Sequence, residues 1–76
     1  MDLENFLNSF ASQFEDTELS AFTPQTKFKE LEEWSSLMAL AIIATVDEEY
    51  EVKIKGDDIR NSVTIEDLYN KIKSKM

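Results

Sequence analysis

The sequence predicts an all-α fold of four helices, the third of them short. Apolar residues recur at helical spacing over residues 2–14 and again over residues 64–75. Between them, a serine precedes a run that is apolar from Leu37 to Val46 except at Thr45, as is typical of a helix. The strand-like residues 52–55 have no second strand to pair with, so we expect helices only.

Composition excludes several classes of protein. The chain has 76 residues, enough for a single domain (1–76) with a modest core. It has no cysteine and no histidine, so thiolate and imidazole ligands and the commonest general base are missing. We therefore expect no metal site and no catalytic residue. The formal charge of −8 repels phosphate backbones and anionic lipids, so nucleic acid is not an expected partner.

The charge is unevenly distributed. Residues 1–51 contain 12 acidic and 2 basic side chains, whereas residues 52–76 contain 4 acidic and 6 basic ones. This asymmetry predicts an acidic docking surface on the first two helices and the loop between them. The N-terminus is acidic where an export signal is basic, and no apolar run approaches the roughly 20 residues of a membrane span. We expect a cytoplasmic protein without membrane insertion.

The first helix is predicted over residues 2–14, because its apolar residues share one face. The periodicity then fails around Pro24, since proline disfavours helix at the residue before it. Residues 15–34 are therefore predicted to form a long loop. Its scattered apolar residues should anchor it to the core; they include Ala21, Phe22, Phe28 and Leu31.

The second helix is predicted to begin after Ser35 and to run to about Tyr50. Ser35 is the better N-cap, which leaves Ser36 at the first helical position with its hydroxyl facing outward. Trp34, just before the cap, is expected to pack on Ala39 and fix the angle at which the loop enters the helix.

Spacing divides the second helix into two apolar faces. The predicted core face consists of Ala39, Ile43, Val46 and Tyr50, with Ile42 beside it. The predicted outward, partner-docking face consists of Met38, Ala41, Thr45 and Glu48. The alternative is that the loop of residues 15–34 covers this second face.

An extended link and a short helix are predicted next. The link, residues 52–55, ends at Gly56. Asp57 or Asp58 is expected to cap a short third helix around residues 59–62.

The fourth helix is predicted over residues 64–75. Thr64 and Asp67 have the spacing of a capping box, which marks its start. Its last turn is basic and complements the negative end of the helix dipole, through Lys71, Lys73 and Lys75.

The sequence at the start of the second helix resembles that of a known protein family. Ser35-Ser36-Leu37 resembles the Asp-Ser-Leu segment around the modified serine of acyl carrier proteins. The similarity extends to the acids and aromatic of residues 47–50, the Gly-Asp-Asp-Ile short helix and the Thr-Ile-Glu-Asp-Leu opening of the last helix. The resemblance implies an acyl-carrier-type four-helix bundle with a long first loop and a short third helix.

The resemblance also implies a cofactor and a function. In such a carrier, Ser36 would bear 4′-phosphopantetheine from coenzyme A, and the thiol of that group would hold an acyl group as a thioester. Ser35 replaces the family's aspartate; it preserves the cap and is the minor alternative attachment site. The implied protein is a monomeric, non-enzymatic carrier in fatty-acid, polyketide or related biosynthesis. Its implied partners are a phosphopantetheinyl transferase and acyl-loading and acyl-transferring enzymes.

Two other classes of protein are alternatives to the carrier. The first is an unmodified carrier-fold module that binds partner proteins through the apolar second helix, which the replacement of aspartate by Ser35 favours. The second is a calcium-binding loop starting at Asp47. An EF-hand loop needs glycine at its sixth position. Here the first glycine, Gly56, stands at the tenth position of the loop, so the sequence does not favour calcium binding.

Overall fold

The computed structural model describes residues 2–76 and confirms the all-α prediction. Within that range there is no β-strand, and two short 3₁₀ turns, Leu19–Ala21 and Phe28–Glu30, interrupt the long loop. The four α-helices are α1 (Leu3–Ala11), α2 (Ser36–Tyr50), α3 (Gly56–Arg60) and α4 (Ile65–Ser74). They form the small acyl-carrier-type bundle that the resemblance implied. None of these helices is long and apolar enough to span a membrane.

Helix α1 is shorter than predicted. The carboxylate of Asp2 caps it by accepting a hydrogen bond from the backbone N–H of Asn5 at 2.8 Å. The helix ends at Ala11 rather than at residue 14. Phe14 nevertheless remains buried, and its ring stacks on that of Phe10 with centroids 5.6 Å apart. The apolar spacing continued past the helix because a turn keeps Phe14 on the same face.

Helix α2 begins and ends as predicted. Ser35 is its N-cap, and the Ser35 hydroxyl accepts a hydrogen bond from the N–H of Met38 at 3.2 Å. The helix runs to Tyr50 and stops at Glu51, whose backbone is left-handed (φ 56°). That conformation turns the chain into the extended link, where Val52 and Ile54 are buried.

The prediction for the third helix was wrong by three residues. Helix α3 begins at Gly56, and Lys55 is its N-cap residue. Asp58 lies within the first turn and accepts a hydrogen bond from the backbone N–H of Lys55 at 2.9 Å. Asp58 therefore caps the helix from within its first turn. The sequence had instead predicted that Asp57 or Asp58 would precede the helix as its N-cap.

Helix α4 begins with the predicted capping box. The Thr64 hydroxyl accepts from the N–H of Asp67, and the Asp67 carboxylate accepts from the N–H of Thr64, both at 3.1 Å. The backbone hydrogen bonds from Thr64 and Val63 lower the pKa of Asp67 below its ordinary value.

The long loop is anchored to the core and to α4. Phe22 and Phe28 are buried, and the Phe28 ring meets that of Phe10 edge-on at 5.5 Å. The N–H of Ile65, at the start of α4, donates to the carbonyl of Thr26 at 3.1 Å. The loop is therefore a fixed part of the fold that leads directly to the start of α2.

Candidate functional site

The two serines at the start of α2 differ in how their hydroxyls are used. Both side chains are exposed. The Ser35 hydroxyl is occupied by the cap hydrogen bond, whereas the Ser36 hydroxyl has no hydrogen-bond partner within residues 2–76. Ser36 is also the first helical residue, where unpaired backbone N–H groups and the positive end of the helix dipole favour a bound phosphate. Ser36 is therefore the hydroxyl that is free to react.

A groove of about 630 Å³ lies beside Ser36, between α2 and α3. Its apolar walls come from the residue before the cap and from both helices: Trp34, Ala39, Leu40, Ile43 and Ile59. Two basic residues, Lys29 and Arg60, also line it, and no acidic residue is among its lining. The site thus combines a free hydroxyl, an apolar surface and positive charge.

Contacts between distant segments hold the walls of this groove. The ammonium group of Lys29 donates a hydrogen bond to the carbonyl of Arg60 at 2.9 Å, which joins the loop to the end of α3. Trp34 packs edge-on against Phe28 with ring centroids 5.0 Å apart. It also lines the groove together with Ala39, the residue on which it was expected to pack.

Glu33 fixes the loop just before α2. Its carboxylate accepts hydrogen bonds from the Thr17 hydroxyl and from the backbone N–H groups of Glu15 and Asp16, the latter at 3.1 Å. These hydrogen bonds, that from Thr17 above all, lower the pKa of Glu33 from its ordinary value of 4.5. The ionised carboxylate therefore ties residues 15–17 to the approach to Ser36.

Removing this carboxylate should change how stability depends on pH. Because the pKa of Glu33 is lowered by folding, its contribution is complete above 4.5 and is lost as the pH falls below that value. We expect Glu33→Gln to unfold at lower urea concentration at pH 7 and to lose less stability on acidification. Glu32→Gln, at the exposed neighbouring residue, is the control. Identical urea midpoints for the two variants across the pH range would contradict this role.

The predicted docking face of α2 is only partly outward. Glu48 is exposed, as expected, but Ala41 and Thr45 are half-buried, and Met38 packs against the core. The large apolar side chains that are exposed on α2 are instead Leu37, at 78%, and Leu40, at 62%.

The predicted core face is likewise rotated. Ile42 and Val46 are buried at 1% exposure each, whereas Ala39, Ile43 and Tyr50 are only half-buried. Ile42, expected beside the core face, is in fact its centre. Helix α2 is apolar on nearly every side, so spacing alone could not decide which stripe meets the other helices.

The exposed face of α2 changes from apolar to acidic along its length. Leu37, Leu40 and Ala44 follow one another at helical spacing and are exposed. Asp47 and Glu48 continue this face toward the end of the helix and are also exposed. Sequence analysis missed both leucines because it assigned the outward position to Met38.

The basic residues of the groove were also missed. Lys29 and Arg60 are 31 positions apart, and only the packing of the loop against α3 brings them together. One signal was present in the sequence: Lys29 is one of only 2 basic residues in the acidic stretch 1–51.

The fold and this site define a small helical domain of the carrier type, with a free hydroxyl at the entrance of its longest helix. A family model described as phosphopantetheine attachment site matches residues 6–72. The match covers most of the chain, so the protein belongs to this family and is a phosphopantetheine carrier, in which 4′-phosphopantetheine is attached covalently. No curated protein and no solved structure matches the chain significantly.

The residues at the site fit such a group. The phosphate requires a serine hydroxyl, which Ser36 offers at the first position of α2, and the positive end of the helix dipole there favours its charge. The remainder of the group is long and partly apolar, and the groove beside Ser36 offers an apolar surface.

Proposed function

We propose that the protein is an acyl carrier whose 4′-phosphopantetheine is attached to Ser36. The observation that carries this proposal is the contrast between the two serines: Ser36 presents a free, exposed hydroxyl, whereas that of Ser35 is used as the cap. When bound, the group supplies a thiol on which acyl intermediates are held as thioesters. The chain itself supplies position and a surface for partner enzymes, but no catalytic group.

Attachment is a phosphoryl transfer from coenzyme A that a partner transferase catalyses. The Ser36 oxygen forms a bond to the phosphorus atom that bears the pantetheine, and the P–O bond to the adenosine bisphosphate breaks. The transferase takes the serine proton. The Ser36 hydroxyl is exposed to the incoming phosphate. The N–H groups of the first turn of α2 can donate hydrogen bonds to that phosphate, and the helix dipole favours its negative charge.

The test is the intact mass of the protein after incubation with coenzyme A and a broad-specificity phosphopantetheinyl transferase. We expect the mass to increase by one phosphopantetheine group. An unchanged mass, with a transferase that modifies another carrier in the same reaction, would overturn the proposal. It would favour the unmodified interaction module instead.

We further propose that the exposed face of α2 docks the partner enzymes. These enzymes are the transferase and the acyl-loading and acyl-transferring enzymes of fatty-acid, polyketide or related biosynthesis. In this proposal the protein binds them as a single-domain monomer. Support comes from the position of this face, which begins beside Ser36 with exposed leucines and ends with exposed acids. A partner surface with an apolar patch followed by basic side chains would be complementary to it. Of the residues first assigned to docking, Glu48 retains this role.

A charge placed at the start of this face should weaken docking without harming the fold. Leu37 is 78% exposed, so Leu37→Glu should change the free energy of unfolding by about 0.5 kcal/mol or less. We expect a several-fold lower kcat/KM for the transferase reaction. The control is Leu19→Glu, the same change at a leucine that is 62% exposed in the long loop. Equal kcat/KM values for both variants would place docking elsewhere.

A further inference from the structure

We infer that a transferase able to modify Ser36 docks with acidic side chains against Lys29 and Arg60. The protein then presents a basic, an apolar and an acidic zone in a fixed order, and a transferase fits them in one orientation only. The three zones are Lys29 with Arg60, Leu37 with Leu40, and Asp47 with Glu48. This inference rests on the attachment proposed at Ser36 and on the docking proposed along α2.

The basic zone lies where any enzyme that modifies Ser36 must make contact. Lys29 and Arg60 line the same groove as Ser36, and both are exposed. The enzyme has to bring the phosphorus atom of coenzyme A to bonding distance from the Ser36 oxygen, so its surface covers the residues around Ser36. Docking therefore removes water from the basic zone. Burial of a cation without an anionic partner is costly, so a productive transferase must supply anions there.

Both basic groups are able to receive carboxylates from a partner. The Lys29 ammonium group donates one hydrogen bond to the carbonyl of Arg60, at 2.9 Å, and retains two donors. Arg60 forms an ion pair with Asp57, but both of these side chains are 73% exposed. An exposed pair contributes little, so the guanidinium group can turn to another carboxylate at small cost. No acidic residue lines the groove beside them.

The opposite charges of the protein are far enough apart to be recognised separately. Asp47 lies 11 residues after Ser36 on α2, which is roughly 17 Å along the helix axis. The exposed side chains of Leu37 and Leu40 belong to the part of α2 between them. The Debye length is about 8 Å at physiological ionic strength, so the acidic zone does not cancel the basic zone for a partner in contact with both. The formal charge of −8 therefore does not describe the surface around Ser36.

Two other arrangements predict different results. In the first, the transferase surface is basic throughout and is attracted by the net negative charge of the protein. Such a surface would be repelled by Lys29 and Arg60, and reversal of their charges would speed modification. In the second, the phosphates of coenzyme A, rather than carboxylates of the transferase, contact the basic zone.

The experiment measures kcat/KM for modification by the broad-specificity transferase, with the concentrations of the protein and of coenzyme A varied separately. Attachment to the unmutated protein is first verified by intact mass, so failure of the proposed function is recognised before charges are compared. The test variants are Arg60→Glu alone and Arg60→Glu with Lys29→Glu. Arg60→Glu alone leaves the Lys29 hydrogen bond in place, because its acceptor is a backbone carbonyl.

The control is Lys27→Glu with Lys53→Glu, which makes the same change in net charge as the double test variant. Both of these lysines are exposed, and neither lines the groove. Circular dichroism of every variant verifies that the fold is retained.

We expect the double test variant to lower kcat/KM by about tenfold or more through a higher KM for the protein, and Arg60→Glu alone to lower it by about threefold. The control should change kcat/KM by less than about twofold, because its charges lie outside the contact. The difference between test and control should shrink in 1 M salt, where the Debye length is about 3 Å.

A second measurement identifies the group that faces Lys29. A carbodiimide joins an amine directly to a carboxylate, so treatment of the complex should link Lys29 to an acidic residue of the transferase, which peptide mass mapping locates. Lys29→Arg keeps the positive charge but has no amine to react. It should lose this link and keep kcat/KM within about twofold of the unmutated protein.

Two outcomes would overturn the inference. The first is a kcat/KM of the double test variant that equals or exceeds that of the control, which would assign docking to a surface that is basic throughout. The second is an effect confined to the KM for coenzyme A, with no link between Lys29 and the transferase. That result would assign the basic zone to the phosphates of coenzyme A.

Discussion

Ser36→Ala is expected to abolish phosphopantetheine attachment while leaving the protein folded. The substitution removes the only oxygen at this position that can form the bond to phosphorus. Ser36 is exposed and its hydroxyl makes no hydrogen bond within residues 2–76, so its loss breaks no contact, and alanine is favourable in a helix. Intact mass after incubation with coenzyme A and transferase should remain that of the unmodified chain, and circular dichroism should be unchanged.

Ser35→Ala is the matched variant, since it removes the neighbouring hydroxyl. It deletes the N-cap hydrogen bond to Met38 and should cost about 1 kcal/mol of stability. It should still gain one phosphopantetheine group. Modification that survived Ser36→Ala and disappeared in Ser35→Ala would transfer the attachment to Ser35, the alternative site.

Ile42→Ala is expected to unfold much of the protein. The Ile42 side chain is 1% exposed and belongs to the core, and truncation of such a residue to alanine costs about 2–5 kcal/mol. A core in a chain of this size supplies rarely more than about 3–5 kcal/mol in all. We expect urea unfolding to show a midpoint near zero denaturant, and the amide spectrum to lose its dispersion.

Ile43→Ala is the control for this prediction, because it makes the same truncation one residue later. Ile43 is half-buried and faces the groove, so less apolar surface is exposed to water and no closed cavity is left. This variant should remain folded at reduced stability. If Ile43→Ala were as damaging as Ile42→Ala, α2 would be rotated relative to the arrangement described here.

The helix starts were the most predictable feature, because capping is a local interaction. Ser35 and the Thr64–Asp67 pair each bond to backbone groups within three residues, and the structure places both where the sequence indicated. The third helix was misplaced because Asp57 and Asp58 both satisfy the composition of a cap. The hydrogen bond from the N–H of Lys55 to Asp58 shows that Asp58 lies in the first turn and that Lys55 is the N-cap residue.

Family membership was also predictable from the order of elements along the chain. The resemblance rested on a serine before Leu37 together with the loop, link and capping signals on either side, and the family model matches residues 6–72. These features are local in sequence, so they can be recognised before any tertiary contact is known.

The sequence by itself determined that the chain forms four helices, that Ser36 lies at the start of the second, and that cysteine and histidine are absent. Tertiary structure decided which side of α2 is buried, because a helix that is apolar on nearly every side can pack in more than one rotation. It placed Ile42 and Val46 in the core and left Leu37 exposed. It also brought Lys29 to the end of α3, where the pairing depends on how the long loop folds back and on no local pattern.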